Sequence, residues 1–285
     1  MEKYRRLRQI LIEEKILLPQ ELYPAPLASK EQIILAHDET YFEQIENGTI
    51  DPKIMREIGF PWSERIILRS RASVGGFLAA CQEALKTGLS GNLSGGTHHA
   101  HRDRGEGFCV FNDFAVACLY LKQEKKAKNI LILDLDVHQG NGNSSILKGT
   151  DGITICSIHG KNNYPFRKVA SDIDVELEDD CGDEEYLKQL DILLQKIKSS
   201  QFDLIMYQAG VDPLATDKFG KLALTHHGLA ERDQKVFHFA LKMKCPIVLA
   251  MGGGYADPIE DSLKAHTQTY KIAKSLENSF ASLLA

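Results

Sequence analysis

Residues 130–142 constrain the fold of this chain more than any other stretch. They read Ile-Leu-Ile-Leu-Asp-Leu-Asp-Val-His-Gln-Gly-Asn-Gly, so an apolar run ends in Asp134, Asp136 and His138 before a glycine-rich turn. Side chains two residues apart on a strand share one face. If 130–136 is a buried strand, the two carboxylates and the imidazole project together at its carboxyl end, where open α/β sheets bind ligands. Burying such a set without a cation is costly, and capping a strand end needs fewer polar groups, so the pattern predicts a cation site.

Strand and helix patterns alternate along the chain. Apolar runs typical of buried strands occupy 130–136, 153–158, 204–208 and 246–251, and a short strand could end near Gly91–Gly96. Apolar residues at helical spacing occupy the segments around these runs, namely 4–18, 29–36, 72–87, 112–125, 183–199, 226–243 and 257–275. This alternation predicts an α/β fold, in which a mostly parallel sheet carries helices on both faces. No segment reads as a linker or a repeat, so we expect a single domain over residues 1–285.

Composition excludes several classes of function. The formal net charge of -5 argues against an electrostatic nucleic-acid binder. No apolar run approaches the roughly 20 residues of a membrane span, and the charged N-terminus argues against a secretory signal. The six cysteines show no paired spacing, which favours reduced thiols and a cytoplasmic protein, or a nuclear one if the source is eukaryotic. The basic residues near the N-terminus fit the solvated face of an amphipathic helix: Lys3, Arg5, Arg6 and Arg8.

Polar side chains with catalytic potential follow the predicted strands. Because the carboxyl ends of parallel strands share one edge of a sheet, we expect these side chains to meet: His98, His99, Asp136, His138, His159, Tyr164, Asp212 and Tyr255. Two carboxylates and one histidine (Asp136, His138 and Asp212) make a three-ligand metal site with positions open for water and substrate, the catalytic pattern.

The remaining groups supply the other requirements of amide hydrolysis. The tandem His98–His99 would act as general bases or acids beside the metal. A tyrosine on a triple-glycine loop, Tyr255, could stabilise a tetrahedral oxyanion. Each of these signals is weak alone, and their combination at strand ends predicts metal-assisted amide hydrolysis. The other histidines considered have no evident partner in the sequence, and we interpret them as structural or surface residues: His101, His226, His227, His238 and His266.

An ordered set of motifs over nearly the whole chain resembles the zinc-dependent histone deacetylase superfamily. The motifs are Gly95-Gly96-Thr97-His98-His99-Ala100, Gly107-Phe108-Cys109, Asn112-Asp113, the stretch 134–142, Gln208-Ala209-Gly210-Val211-Asp212 and Gly252-Gly253-Gly254-Tyr255. The His-Gln-Gly-Asn-Gly variant and Tyr164-Pro165 look most like the class IV branch and its bacterial relatives. The resemblance implies an arginase/deacetylase fold, a three-layer α/β/α architecture with an eight-stranded sheet.

The resemblance also implies roles for individual residues. Zn²⁺, or Fe²⁺ or Co²⁺ in its place, would lie on Asp136, His138 and Asp212, and Tyr255 would polarise the scissile carbonyl. His99 would be the general base and acid, with His98 held by Asp134. A structural K⁺ would bind Asp134, the Ser157 hydroxyl and the backbone carbonyls of Asp136, His138 and Ile158. The substrate tunnel would be formed by Phe108, Tyr164, Gly107, Gly253 and Gly254.

Two features depart from the family pattern. Asn141 stands where the family often has an aspartate, so His99 should be less stabilised as a cation. The chain also begins at what would be the family's first helix, so we expect the family's first strand to be absent from it.

Three functions fit these residues. The first is hydrolysis of N-acyl-lysine in a protein or peptide substrate, without direct nucleic-acid binding. The second is deacylation of acylpolyamines or other small amides, for which an acidic tunnel mouth with a long insert is typical. The third is a catalytically inactive metal-binding scaffold, against which the intact ligand set and Tyr255 argue.

Overall fold

The computed structural model describes residues 2–283, in which six strands form one parallel sheet. The strands are β1 (Leu89–Asn92), β2 (Ile130–Asp134), β3 (Ile153–Gly160), β4 (Ile173–Leu177), β5 (Leu204–Gln208) and β6 (Ile247–Ala250). Their order across the sheet is β1-β6-β5-β2-β3-β4, and every neighbouring pair is parallel. Non-consecutive neighbours require crossover connections, which the helices supply.

Helices occupy most of the chain between and around the strands. They are α1 (Glu2–Glu13), α2 (Lys30–Ile33), α3 (Glu39–Asn47), α4 (Pro52–Ile58), α5 (Glu64–Thr87), α6 (Asp113–Gln123), α7 (Asn141–Leu147), α8 (Asp183–Ile197), α9 (His226–Lys242) and α10 (Ile259–Ala281), with a short 3₁₀ turn at Pro19–Glu21. No helix within residues 2–283 is both long and apolar enough to cross a membrane.

The sheet separates two hydrophobic cores. Alternate residues of β2 enter different cores: Ile130 and Ile132 pack with α5 and α6, whereas Leu131 and Leu133 pack with α1, α8, α9 and α10. This is the period-two alternation of a strand buried on both faces. The predicted α/β class with helices on both sides of a parallel sheet is therefore confirmed.

The strand count differs from the eight implied by the resemblance. Within residues 2–283 no strand precedes Leu89, because residues 2–87 form helices and connecting segments. In this part of the chain β1 pairs only with β6, so it lies at an edge of the sheet.

Local sequence signals set several boundaries. Ser29 and Gln32 form a capping box at the start of α2, and Gly88, at φ +86°, ends α5 in the left-handed conformation. The helix predicted from residue 72 begins earlier, at Glu64, where the Ser63 side chain accepts a hydrogen bond from the Ile66 amide. The glycine-rich turn predicted after His138 continues into α7.

Candidate active site and metal centre

Three predicted metal ligands converge at the carboxyl ends of two neighbouring strands. Asp136 and His138 follow β2, and Asp212 follows β5. Each residue offers one ligand atom, and these atoms all lie within 4.8 Å of one another. His138 Nδ1 is 3.1 Å from Asp136 Oδ1 and 3.2 Å from Asp212 Oδ2. The structure thus brings the three side chains together in a geometry that one ion could bridge.

The pKa values in this cluster show that its buried carboxylates need a compensating positive charge. Burial opposes a charge on His138, but Asp136 and Asp212 outweigh that effect and raise its pKa to about 10. Burial together with the Asp136 carboxylate raises the pKa of Asp212 to about 7. Burial opposes a charge on Asp136 as well, but His98 and His138 outweigh it and hold the pKa of Asp136 well below its usual value. An Asp-His-Asp donor set of this kind fits a divalent cation, which would supply the missing positive charge.

Glycines allow the close packing of the ligands. The Gly253 amide donates to Asp136 Oδ2 at 2.7 Å. A Cβ at Gly253 would lie 2.6 Å from Asp212 Cγ and closer still to its Oδ2, and a Cβ at Gly210 would lie 2.8 Å from Asp136 Cγ. Real Cβ contacts essentially never fall below 3.0 Å. Both glycines therefore leave the two carboxylates the space that they occupy.

The two adjacent histidines lie beside the ligands with different partners. His98 Nδ1 is 2.7 Å from Asp134 Oδ2, as predicted, and His99 Nδ1 is 2.8 Å from Asn141 Oδ1. The two rings are 4.1 Å apart between centroids, and both residues line one cavity with the ligands. In each ring the Nδ1 atom is engaged by its partner, so Nε2 is the nitrogen left for chemistry.

Electrostatics shifts the pKa values of His98 and His99 in opposite directions. Burial disfavours a charge on His98, but Asp134 and Asp136 outweigh it and raise the pKa to about 9. Burial and the neighbouring His98 and His138 lower the pKa of His99 well below its usual value. His99 is consequently the neutral member of the pair, the state that a general base requires.

The cavity has a volume of about 610 Å³, and most of the predicted tunnel residues line it. Phe108 is 44% exposed at its mouth, and the Tyr164 ring packs edge-on against His99 at 5.0 Å. Gly107 has φ +56°, and a Cβ there would lie 2.8 Å from His99 Cδ2, so the close approach of this loop needs glycine. Gly253 also lines the cavity, whereas Gly254 is buried next to it.

Tyr255 lies in the same cavity and rests on a lysine from the first helix. Its amide donates to Asp217 Oδ2 at 2.6 Å, and Lys3 Nζ lies 4.3 Å from the centre of its ring. Lys3 Nζ also donates to the carbonyl oxygens of Gly254 at 3.1 Å and Gly252 at 3.4 Å.

The interpretation of Lys3 as part of a solvated basic face is therefore wrong. Lys3 is only 4% exposed, whereas the Arg5 side chain is 79% exposed. The physical reason is helical spacing: Lys3 shares the buried face of α1 with Leu7 and Leu11, four and eight residues on. From that spacing the burial of Lys3 could have been predicted.

A second group of polar residues, which the sequence analysis did not predict as part of the site, lies behind His99. His101, interpreted as structural or surface, is buried, and its Nε2 lies 3.2 Å from Asn141 Nδ2. Glu106 Oε1 accepts from the same Asn141 Nδ2 at 2.7 Å. The other histidines in that group agree with the interpretation: His266 is buried, and His226, His227 and His238 are partly or fully exposed.

The predicted K⁺ ligands lie on neighbouring strands. Asp134 and Ser157 are direct partners in the β2–β3 register, and both are buried. Asp134 Oδ1 accepts from the Asp136 amide at 3.2 Å, and Ser157 Oγ is 2.8 Å from His159 Nδ1. The register therefore places these two residues side by side on neighbouring strands.

Comparison with known proteins shows similarity to histone deacetylases. The histone deacetylase domain family matches residues 1–270. An uncharacterized protein of Picosynechococcus is 37% identical over 97% of this chain and 92% of its own length. Histone deacetylase 2 of Arabidopsis thaliana is 30% identical over 97% of this chain and 72% of its own length. Acetoin utilization protein AcuC of Staphylococcus aureus is 28% identical over 86% of this chain and 69% of its own length.

Solved structures resemble the whole described chain. A histone deacetylase homologue solved in complex with SAHA superposes with a TM-score of 0.82 at 27% identity, covering 98% of this chain and 81% of that one. The HDA15 domain, at 19% identity and a TM-score of 0.79, shares the fold.

Proposed function

Because the chain belongs to the histone deacetylase family, whose members are deacetylase hydrolases, we propose that it removes acyl groups from N-acyl-lysine in a protein or peptide, with Zn²⁺ as its metal and Fe²⁺ or Co²⁺ as substitutes. The observation that carries the proposal is the Asp136, His138 and Asp212 triad, which shares one cavity with His99 and Tyr255. Among the family's branches we infer kinship with class IV and its bacterial relatives, and we infer that residues 1–285 act as a single catalytic domain.

The side chains around the triad divide the chemical work. A divalent cation on the three ligands would polarise the amide carbonyl and make a neighbouring water more acidic. His99 Nε2 accepts the proton of the attacking water and then gives it to the leaving lysine nitrogen. His98, held by Asp134 at 2.7 Å, keeps a positive charge beside the reacting centre. The Tyr255 hydroxyl donates to the oxyanion as it forms.

The apolar and structural parts of the site support substrate alignment. Phe108 and Tyr164 form the walls that would hold the four methylenes of the lysine side chain.

We further propose that a K⁺ ion on Asp134, Ser157 and the carbonyls of Asp136, His138 and Ile158 stabilises the strand ends that carry the ligands. The buried, adjacent positions of Asp134 and Ser157 support this assignment.

Charge at the cavity argues against the polyamine alternative. Lys218 and Lys221 line the cavity, as does Arg69, against one glutamate, Glu57, among the outer lining residues, and the two lysines pair with Asp257 and Asp179 respectively. A polyamine is cationic and would favour an acidic mouth, whereas an acyl-lysine side chain is neutral. The scaffold alternative would require a missing catalytic group, and every predicted group lies in or beside this cavity.

A substrate panel tests the proposal. Metal-loaded protein is incubated with lysine peptides acylated from acetyl to myristoyl, and with acetylspermidine. We expect hydrolysis of at least one acyl-lysine peptide, its loss on chelation, and its return with Zn²⁺. Asp212→Ala should contain less metal and lack activity. Hydrolysis of acetylspermidine alone would support the polyamine alternative, and inactivity on every substrate with full metal content would support the scaffold.

A further inference from the structure

We propose that Glu106 and His101 fix the ring tautomer of His99 by holding the Asn141 amide in one orientation. Glu106 and His101 are positioning residues, since they act through Asn141. The proposal rests on the proposed function only where it gives His99 the role of base. The tautomer itself is a property of this hydrogen-bond network, independent of which substrate is hydrolysed.

Glu106 decides which end of the Asn141 amide faces it. An ionised carboxylate accepts hydrogen bonds and cannot donate one. Glu106 Oε1 lies 2.7 Å from Asn141 Nδ2, so the amide must present its NH₂ group to the carboxylate. The charge on Glu106 is supported by Arg104, whose Nε lies 4.0 Å from the other oxygen. The Glu106 side chain is only 15% exposed, so little water competes for this bond.

His101 engages the second hydrogen of the same NH₂ group. The Ser145 hydroxyl donates to the Gly142 carbonyl at 3.0 Å, so its oxygen is left to accept a bond from His101 Nδ1 at 2.7 Å. With its proton on Nδ1, His101 has a lone pair on Nε2, which lies 3.2 Å from Asn141 Nδ2. Both N–H groups of the amide are then satisfied on the side away from His99.

The orientation of Asn141 in turn selects the tautomer of His99. With the NH₂ group facing Glu106 and His101, Asn141 Oδ1 faces His99 Nδ1 at 2.8 Å. A carbonyl oxygen only accepts, so His99 must carry its proton on Nδ1 and keep the Nε2 lone pair. An aspartate would select this tautomer without help, because both of its oxygens accept. An asparagine needs an acceptor behind it, and Glu106 supplies that acceptor.

The ring nitrogens of His99 report this arrangement directly. We would record nitrogen-15 spectra of the Zn²⁺-loaded protein labelled at histidine, and assign His99 by comparison with His99→Ala. We expect the Nδ1–H tautomer in the natural protein. In Glu106→Gln the new amide can donate to Asn141 Oδ1, so Asn141 can rotate and a population of the Nε2–H tautomer should appear. A natural protein with His99 protonated on Nε2, or a Glu106→Gln variant with an unchanged tautomer, would overturn the proposal.

Turnover provides a second readout with a matched control. Glu106→Gln should lower kcat/KM by about 10- to 100-fold, less than the roughly 10²–10⁴-fold contribution of a general base, because His101 still favours the original orientation. Metal content and melting temperature should stay unchanged. Glu184→Gln removes the same charge from an exposed residue that does not line the cavity, and it should have little effect. Equal losses in the two variants would mean that net charge, and not amide orientation, is responsible.

A double variant isolates the route through Asn141. Asn141→Asp places a carboxylate at hydrogen-bond distance from Glu106, so this single variant should lose activity by charge repulsion. Adding Glu106→Gln gives that aspartate a donor and should restore activity relative to Asn141→Asp alone. If Glu106→Gln instead costs the same factor in both backgrounds, Asn141 is not the intermediary. If the natural protein shows the expected tautomer but hydrolyses no substrate, the proposed function fails and this inference stands.

Discussion

Substituting Gly253 with alanine tests the metal centre without reference to any substrate. The added Cβ would lie 2.6 Å from Asp212 Cγ, against a limit of 3.0 Å for real Cβ contacts. Asp212 Cγ must therefore retreat by 3.0 − 2.6 = 0.4 Å or more, and Oδ2, which is closer to the Cβ, by a greater distance. Metal sites tolerate changes in ligand distance of about 0.2 Å. We expect Gly253→Ala to lower the affinity for Zn²⁺ by at least about 10–100-fold, the range seen for lost supporting contacts.

The assay is a competition titration of the purified protein against a chromogenic chelator, with metal content measured in parallel. Gly182→Ala is the matched control, since its Cβ would meet only the Ala223 carbonyl oxygen at an ordinary 3.9 Å. Its affinity for Zn²⁺ should match that of the natural protein. If Gly253→Ala binds Zn²⁺ within threefold of the natural protein while remaining folded, Asp212 is not a confined ligand, and the assigned triad is wrong.

Three further predictions concern side chains around the triad. Tyr255→Phe should lower turnover roughly 10²–10³-fold with unchanged metal content, and a loss below about threefold would remove Tyr255 from the chemistry. His99→Ala should lower kcat/KM more than His98→Ala, because the buried His99, whose pKa lies well below its usual value, is the proposed base; the reverse order in steady-state kinetics would contradict that proposal. Lys3→Met should lower the free energy of unfolding by about 1–3 kcal/mol through loss of its bonds to two carbonyls, whereas the exposed Arg5→Met should change it by less than about 0.5 kcal/mol in chemical denaturation.

The sheet was predictable where the strands are continuously apolar. Residues 130–134 and 204–208 are buried along their whole length, so an apolar run was sufficient evidence for β2 and β5. β4 was missed because Ile173–Leu177 lies at the other edge of the sheet and only Leu177 is fully buried, which leaves a mixed polar sequence. Helix α7 was missed because Asn141 and Gly142 read locally as a turn, although its first residues are buried by tertiary packing.

The candidate site was predictable to the extent that strand ends determine it. Asp136, His138 and Asp212 follow neighbouring strands of one parallel sheet, so topology alone brings them together. The Asp134 contact with His98 was expected from the family resemblance, and the 2.7 Å distance agrees with it. β1, which precedes His98, is separated from β2 by β6 and β5 in the sheet, so only the resemblance, and not the order of the apolar runs, could predict this contact.

The supporting residues could not be predicted in the same way, because their roles depend on hydrogen-bond direction. Glu106 lies on a loop, and its importance follows from facing an amide whose other end meets His99. Lys3 lies 251 residues before Gly254, whose carbonyl it binds. Helix α1 packs against α10, the helix that follows this glycine loop, and such long-range packing is not visible in the sequence. A neutral asparagine beside the base is ambiguous by itself, since either end of its amide could face the ring. The neighbours of Asn141 remove that ambiguity, so the proposed tautomer of His99 depends on Glu106 and His101, which are not among the residues that line the cavity.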